Sequence, residues 1–171
     1  MKITNKTTIG DAILILKNID FQDQLDASFV KVEIPEITYG QRIDLSEIKT
    51  LQDLLFIPQK VLYNLTEDQV MYKSLLEVYN FGKSVYLELE RLAIRDQKSF
   101  KYEPTSEEIK AGYNQVNHGV FGIVDTIARR MGIQHDDVFL LPEKRVFAML
   151  KIDFDNMIYQ KKLNKIISKQ K

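Results

Sequence analysis

Residues 105–149 decide the fold, and they read TSEEIKAGYNQVNHGVFGIVDTIARRMGIQHDDVFLLPEKRVFAM. Thr105 stands three residues before a glutamate, which is the spacing of a capping box that begins a helix. Gly119 and Gly132 interrupt the apolar periodicity, so they delimit a second helix that is followed by a tight turn. Pro142 ends a short third helix, after which the last helix of the chain begins. The pattern predicts helices packed on one another.

The composition is that of a folded protein without a dominant charge. The chain has 171 residues with 24 basic and 24 acidic side chains, so its formal net charge is zero. This balance argues against a field that would draw nucleic acid or anionic lipid to the whole chain. Cysteine is absent, which excludes disulfides and thiolate chemistry. No apolar run reaches the roughly 18 residues of a membrane-spanning helix, so we expect no membrane partner and a cytoplasmic chain.

Further helix signals and one strand signal precede this stretch. Capping boxes at Thr50 and Thr66 predict two more helix starts. Residues 28–34 alternate apolar and charged side chains before a proline, which predicts a short strand that needs a partner strand. Residues 95–103 are charged and aperiodic, which is typical of a linker.

We therefore predict a mainly α fold, a multi-helix domain with a minor β element at about residues 28–34 near the N-terminus. Residues 1–100 would form an N-terminal helical region that includes the strand. Residues 101–171 would form a C-terminal unit with a helix-turn-helix-like turn and a terminal amphipathic helix. A single compact domain is the alternative, since the length suits one domain.

The turn at Gly132 has the residue spacing of a helix-turn-helix unit. The small and apolar positions of that unit are filled by Ala128, Gly132 and Val138. The unit is poorly suited to DNA binding, because its second helix would place the carboxylates of Asp136 and Asp137 against the DNA phosphates. Arg129 and Arg130 are the nearby basic residues that a DNA-binding regulator would use. We favour a packing role and keep nucleic-acid binding as an alternative.

Other patterns that resemble catalytic motifs have simpler explanations. Residues 81–84, FGKS, resemble the end of a phosphate-binding loop, but the glycine required earlier is replaced by Glu77 in a helical pattern. A helix kink explains them better. The two histidines, His118 and His135, lack the spacing of a metal site. We therefore expect that the protein is not an enzyme and that it binds no cofactor and no metal.

The terminal helix carries a long apolar pattern that continues into a lysine-rich end. It is either a core helix, whose lysines complement its own dipole, or an exposed apolar seam with a basic rim that grips an acidic, helical partner. The residues that would contact a partner are Phe154, Ile158, Lys161, Lys162, Leu163, Lys165, Ile166 and Ile167.

Two parts of the chain resemble a known group of proteins. Residues 37–45, ITYGQRIDL, resemble the "Tyr/Phe–Gly–Gln–x–Ile–Asp–Leu" opening of small tailed-bacteriophage assembly and structural proteins. Residues 127–142, followed by 146–150 and 159–163, are similar to their ending. The nearest named group is the phage tail assembly chaperones.

This resemblance implies a non-enzymatic, mainly helical protein without a cofactor, which acts in virion morphogenesis. Its partners would be tape-measure, tail or connector proteins, and it would work as a homo-oligomer or as part of a complex. It would be found in the host cytoplasm during assembly, or in the virion. A permanent virion component, such as a head–tail connector, ring or tail protein, fits the resemblance equally well.

Overall fold

Helices dominate the structure, as the sequence predicts. The computed structural model describes residues 3–4, 6–12, 19–113 and 118–168. In chain order the helices are α1 (Ile9–Ala12), α2 (Ile19–Ala27), α3 (Tyr39–Leu45), α4 (Leu51–Tyr63), α5 (Glu67–Met71), α6 (Leu75–Ser99), α7 (Ser106–Lys110), α8 (Gly119–Met131), α9 (His135–Leu140) and α10 (Glu143–Ser168).

The chain divides into two compact units. Unit 1 consists of Met1–Ile37 and Gln41–Leu92, and unit 2 consists of Thr38–Gly40 and Ala93–Lys171. The last of the three division points, between Leu92 and Ala93, therefore falls inside the long helix α6.

Three helices begin at the capping boxes that the sequence predicts. Thr50, Thr66 and Thr105 precede α4, α5 and α7, and each hydroxyl accepts the N–H of the residue three positions later. The side chain of that later residue accepts the threonine N–H in return. Each box satisfies two N–H groups that a helix start leaves free, so these starts are determined locally.

The core of unit 1 is formed by α1, α2, α4, α5 and α6. Its buried apolar side chains are Ile9, Ala12, Leu25, Leu54, Leu55, Val70, Leu75, Val78 and Tyr79. A second cluster in the same unit contains Ile37, Leu45, Phe81, Val85 and Leu92. Residues of α6 occur in both clusters at steps of three and four, which is why this helix organises the unit.

Tyr79 joins α2 to α6 through a polar contact at the edge of this core. Its hydroxyl donates a hydrogen bond of 2.5 Å to Asp26 Oδ1, and Lys83 Nζ lies 3.1 Å from the same oxygen. Burial, together with the bond to Asp26, raises the pKa of Tyr79. The bond from Tyr79 and the nearby Lys83 lower the pKa of Asp26. The contact is therefore a neutral hydroxyl bound to a carboxylate.

The prediction of a strand at residues 28–34 is wrong, since this segment is neither helix nor strand. Val30 N–H donates to Asn80 Oδ1 at 3.1 Å, and Val32 N–H donates to Ser84 Oγ at 3.0 Å. The two acceptors are about 6 Å apart along α6, a distance that a nearly extended chain covers in two residues. Polar side chains of the helix thus satisfy alternate N–H groups, and no partner strand is needed for them.

Gly82 marks the closest approach of α6 to α4. A Cβ at this position would lie 2.1 Å from the carbonyl oxygen of Leu54 and 3.1 Å from its carbonyl carbon. Both are backbone atoms, which cannot swing away as a flexible side chain would. Helix α6 continues through Gly82 as a single helix from Leu75 to Ser99. The helix also includes the first part of the linker predicted at residues 95–103.

The turn predicted at Gly132 in unit 2 is confirmed. Gly132 ends α8 with φ of 66°, the left-handed conformation that favours glycine, and Ile133 N–H donates to Ala128 O at 3.1 Å. Helix α9 then packs against α8 with Val138 fully buried. The spacing of these residues is therefore explained by packing.

Residues Thr38–Gly40 belong to unit 2 because they contact α9 and the residues after it. Tyr39 N–H donates to Leu141 O at 2.8 Å, and the Tyr39 ring stacks on Phe139 with centroids 6.4 Å apart. A Cβ at Gly40 would lie 2.9 Å from Phe139 Cβ. The Tyr39–Gly40 pair thus has a packing role in this chain.

We predict that Gly82→Ala destabilises the protein, although alanine favours a helix by about 1 kcal/mol over glycine. Overpacking against the Leu54 carbonyl should outweigh that gain and lower the free energy of unfolding by about 1–3 kcal/mol, measured by urea denaturation. Gly10→Ala is the matched control, since a Cβ there would meet its nearest atom at 3.6 Å. Equal stability of the two variants would show that α6 and α4 do not meet at Gly82.

Candidate functional site

Helix α10 has one face that packs within unit 2 and an opposite face that does not. Glu143 and Val146 are buried, and half-buried residues continue the packed face at steps of three and four. These half-buried residues include Phe147, Leu150, Phe154, Met157 and Lys161. We call this set the inner face.

Arg95 of α6 and Phe100, the residue that follows this helix, hold the first part of the inner face. The Arg95 guanidinium donates to both oxygens of Glu143, at 3.1 and 2.5 Å, and lies 3.5 Å from the centre of the Phe147 ring. Phe100 contacts Phe147 and Phe154 edge-on, with centroids 5.6 Å apart in each pair. A bidentate ion pair and three aromatic rings therefore fix the orientation of the helix here.

Lys161 holds the inner face further along the helix. Its ammonium donates to Glu108 and, at 2.6 Å, to the hydroxyl of Tyr102. Glu108 also accepts the Tyr102 hydroxyl and the Thr105 N–H. The bonds from Lys161, Tyr102 and Thr105 lower the pKa of Glu108 to about 2. One of these contacts, from the Thr105 N–H to Glu108, belongs to the capping box that begins α7.

The opposite side of α10 carries apolar side chains that the described residues leave at least half exposed. Ile152, Tyr159 and Ile166 recur every seven residues and are 50, 61 and 57% exposed. Seven residues are nearly two helical turns, so these side chains lie almost in line. Exposed Asn156 and half-buried Leu163 lie between them. We call Ile152, Asn156, Tyr159, Leu163 and Ile166 the outer stripe.

The structure divides the contact residues predicted on this helix between its two sides. Phe154 and Lys161 lie on the inner face, where they contact Phe100 and Glu108. Ile158 and Leu163 are half-buried. The exposed residues of the set are Lys162, Lys165, Ile166 and Ile167. Sequence reasoning missed Ile152 and Tyr159, although their seven-residue spacing from Ile166 was a signal that could have identified them.

The two arginines considered for nucleic-acid binding are engaged by acidic side chains. Arg129 pairs with Asp125 one turn earlier on α8. Arg130 lies 2.7 Å from Asp153 Oδ1 and donates to Met149 O at 3.2 Å. A phosphate would have to displace these carboxylates before either guanidinium could bind it.

Unit 1 contains a cleft of about 670 Å³ beside residues 29–34. Its lining includes Val32, Gln59, Lys73, Glu77 and Phe81. Gln59 is 3% exposed, and its side-chain oxygen has no hydrogen-bond partner among the described residues.

Across all the residues that the structure describes, there is no group of three or more histidines, aspartates or glutamates that could hold a metal ion. None of the described helices has the length and apolarity to cross a bilayer.

Comparisons of the chain with protein-family profiles, with curated proteins and with solved structures find no match.

We predict that Lys161→Met raises the pKa of Glu108 from about 2 toward the ordinary value of a glutamate, because the largest cause of its depression is removed. The lowered pKa means that this contact stabilises the fold above the ordinary titration range of glutamate, and that the stabilisation is lost as pH falls toward 2. Lys161→Met should therefore reduce stability at neutral pH and flatten its decline in acid. Carboxyl NMR titration and thermal melts from pH 2 to 7 measure both effects.

Lys162→Met is the matched control, because Lys162 is exposed and has no bonded partner among the described residues. It removes the same charge one residue away and should leave the pKa of Glu108 unchanged. If the two variants behave alike, Lys161 does not anchor α10.

Proposed function

We propose that this chain is a non-enzymatic bacteriophage assembly protein, similar in role to a tail assembly chaperone, that binds other proteins through helical faces. The observation that carries the proposal is the outer stripe of α10, where Ile152, Tyr159 and Ile166 are each at least half exposed. A row of apolar side chains at this spacing suits an amphipathic helix of another protein, which would cover it with its own apolar face.

The charges beside the outer stripe favour an acidic partner. Lys162 and Lys165 are exposed near its C-terminal end, and exposed Ile167 extends the apolar surface there. A helix with acidic residues flanking its apolar face would therefore complement this end of α10. A tape-measure, tail or connector protein that exposes such a helix before assembly is the proposed partner. The complex would form in the host cytoplasm during assembly, and no cofactor is required.

A permanent virion component is the alternative within the same biology. The same stripe would then remain buried against a connector, ring or tail protein in the finished particle. Detection of the chain in purified virions at a fixed copy number would favour this alternative, whereas its absence from virions favours the chaperone role.

A helix-turn-helix DNA-binding regulator is the alternative from another class. The pairing of Arg129 with Asp125 and of Arg130 with Asp153 disfavours it, as do the two acids at the start of α9. DNA binding through these residues would weaken steeply between 50 and 200 mM salt, whereas contact through an apolar stripe would change little.

We predict that Ile152→Ser weakens binding to the tape-measure protein of the same phage by about tenfold, because it removes the first apolar contact of the outer stripe. Isothermal titration calorimetry with a tape-measure fragment measures the effect, and circular dichroism verifies that helicity is retained. Ile94→Ser is the matched control, since Ile94 is 52% exposed on α6 and Ile152 is 50% exposed on α10. Equal losses of affinity in the two variants, or no loss in either, would contradict the proposal.

A further inference from the structure

The outer stripe has the residue pattern of a coiled-coil seam. In heptad notation, Ile152, Tyr159 and Ile166 occupy successive d positions. The a positions, three residues before each d, are Met149, Asn156 and Leu163. The seam is apolar except at its middle, where Asn156 and the Tyr159 hydroxyl are polar. Such a seam requires a second helix, and the described residues supply none.

From this pattern we propose that a second copy of this chain covers the outer stripe, with the two α10 helices antiparallel. The inference rests on the proposed function, since it names a partner for the same surface. In an antiparallel pair each a residue faces a d residue of the other helix. One register fills every layer: Met149 faces Ile166, Ile152 faces Leu163, and Asn156 faces Tyr159 of the second copy.

The charges flanking the seam select this register. Asp155 and Lys162 occupy the g positions, which face each other across an antiparallel pair. In the proposed register Asp155 faces Lys162 of the second copy, and by symmetry this pair occurs twice. Asp155 already pairs with Lys151 one turn before it, but a carboxylate accepts more than one donor. Lys162 is exposed and has no other partner among the described residues.

Other arrangements of the two helices lose this complementarity. A shift of the register by one heptad in one direction places Asp155 opposite Asp155 of the second copy. The same shift in the other direction places Lys162 opposite Lys162 of the second copy. Both shifts bring like charges together, which is unfavourable. A parallel pair would place Asp155 beside Gln160 and Lys162 beside Ile167, with no opposite charges in contact. Charge complementarity therefore favours the antiparallel pair in one register.

Disulfide trapping tests the register directly, because the native chain contains no cysteine. Ile152→Cys and Leu163→Cys are prepared as separate full-length variants and oxidised alone and as a mixture. In the proposed pair the two positions face each other, whereas each position is about 16 Å from its own copy, too far for a disulfide. The mixture should cross-link and the single variants should not. Cross-linking of either variant with itself, or none in the mixture, would overturn the proposal.

Charge exchange tests the flanking pairs and keeps the seam intact. Asp155→Lys and Lys162→Asp should each weaken self-association by about tenfold, and the double variant should restore it, as measured by sedimentation equilibrium. Circular dichroism verifies that each variant remains helical. A wild-type chain that is monomeric at all concentrations, or a double variant weaker than both single variants, would contradict the proposal.

These results are separable from the test of the proposed function. If the protein is monomeric while Ile152→Ser still weakens tape-measure binding, self-pairing fails and the proposed function stands. If the antiparallel pair forms but Ile152→Ser leaves tape-measure binding unchanged, the proposed function fails, and the stripe is an interface between copies alone.

Discussion

The anchoring of α10 by charged side chains is the interaction on which the candidate site depends. Glu143 binds Arg95 near the start of the helix, and Lys161 binds Glu108 and Tyr102 further along. These two anchors are about five helical turns apart, so they lie on the same side of the helix. Ile152 lies midway between them and hence on the opposite side. While both anchors hold, the helix cannot rotate its outer stripe toward unit 2.

This arrangement departs from the usual amphipathic helix, which buries its apolar side and exposes its charges. In α10, part of the packed side consists of charged groups that find partners on α6 and α7, whereas branched and aromatic side chains remain exposed. Ion pairs specify orientation more strictly than apolar contacts do, because their geometry tolerates little displacement. The outer stripe therefore lies on a helix whose orientation is fixed by ion pairs. Under the proposed function, this surface contacts another polypeptide.

Local features of the sequence predicted much of the fold. The capping boxes at Thr50, Thr66 and Thr105 and the turn at Gly132 involve neighbouring residues, so their signals are readable in one dimension. The features that sequence reasoning missed involve contacts between distant residues. Nothing near Gly82 indicates that the Leu54 carbonyl will lie against it, and nothing near residues 28–34 indicates that Asn80 and Ser84 will accept their N–H groups. The alternation there predicts a strand, and the structure contains neither helix nor strand at these residues.

The candidate site shows the same limit. Apolar periodicity predicts that α10 is either a core helix or a contact helix, but it cannot separate the inner face from the outer stripe, because Phe154 and Ile166 are both apolar. Lys161 and Lys162 are likewise indistinguishable in sequence, and only the position of Glu108 assigns the first to the inside.

Hydroxyl-radical footprinting of Tyr159 tests most directly whether the outer stripe is a free surface that another polypeptide covers. Tyr72, which is 85% exposed in unit 1, is the reference residue for the rate of labelling. In dilute protein Tyr159 should be labelled at a rate close to that of Tyr72, and it should become protected when concentration is raised or a tape-measure fragment is added. Protection of Tyr159 in the dilute, isolated chain, or equal labelling under all these conditions, would contradict the account.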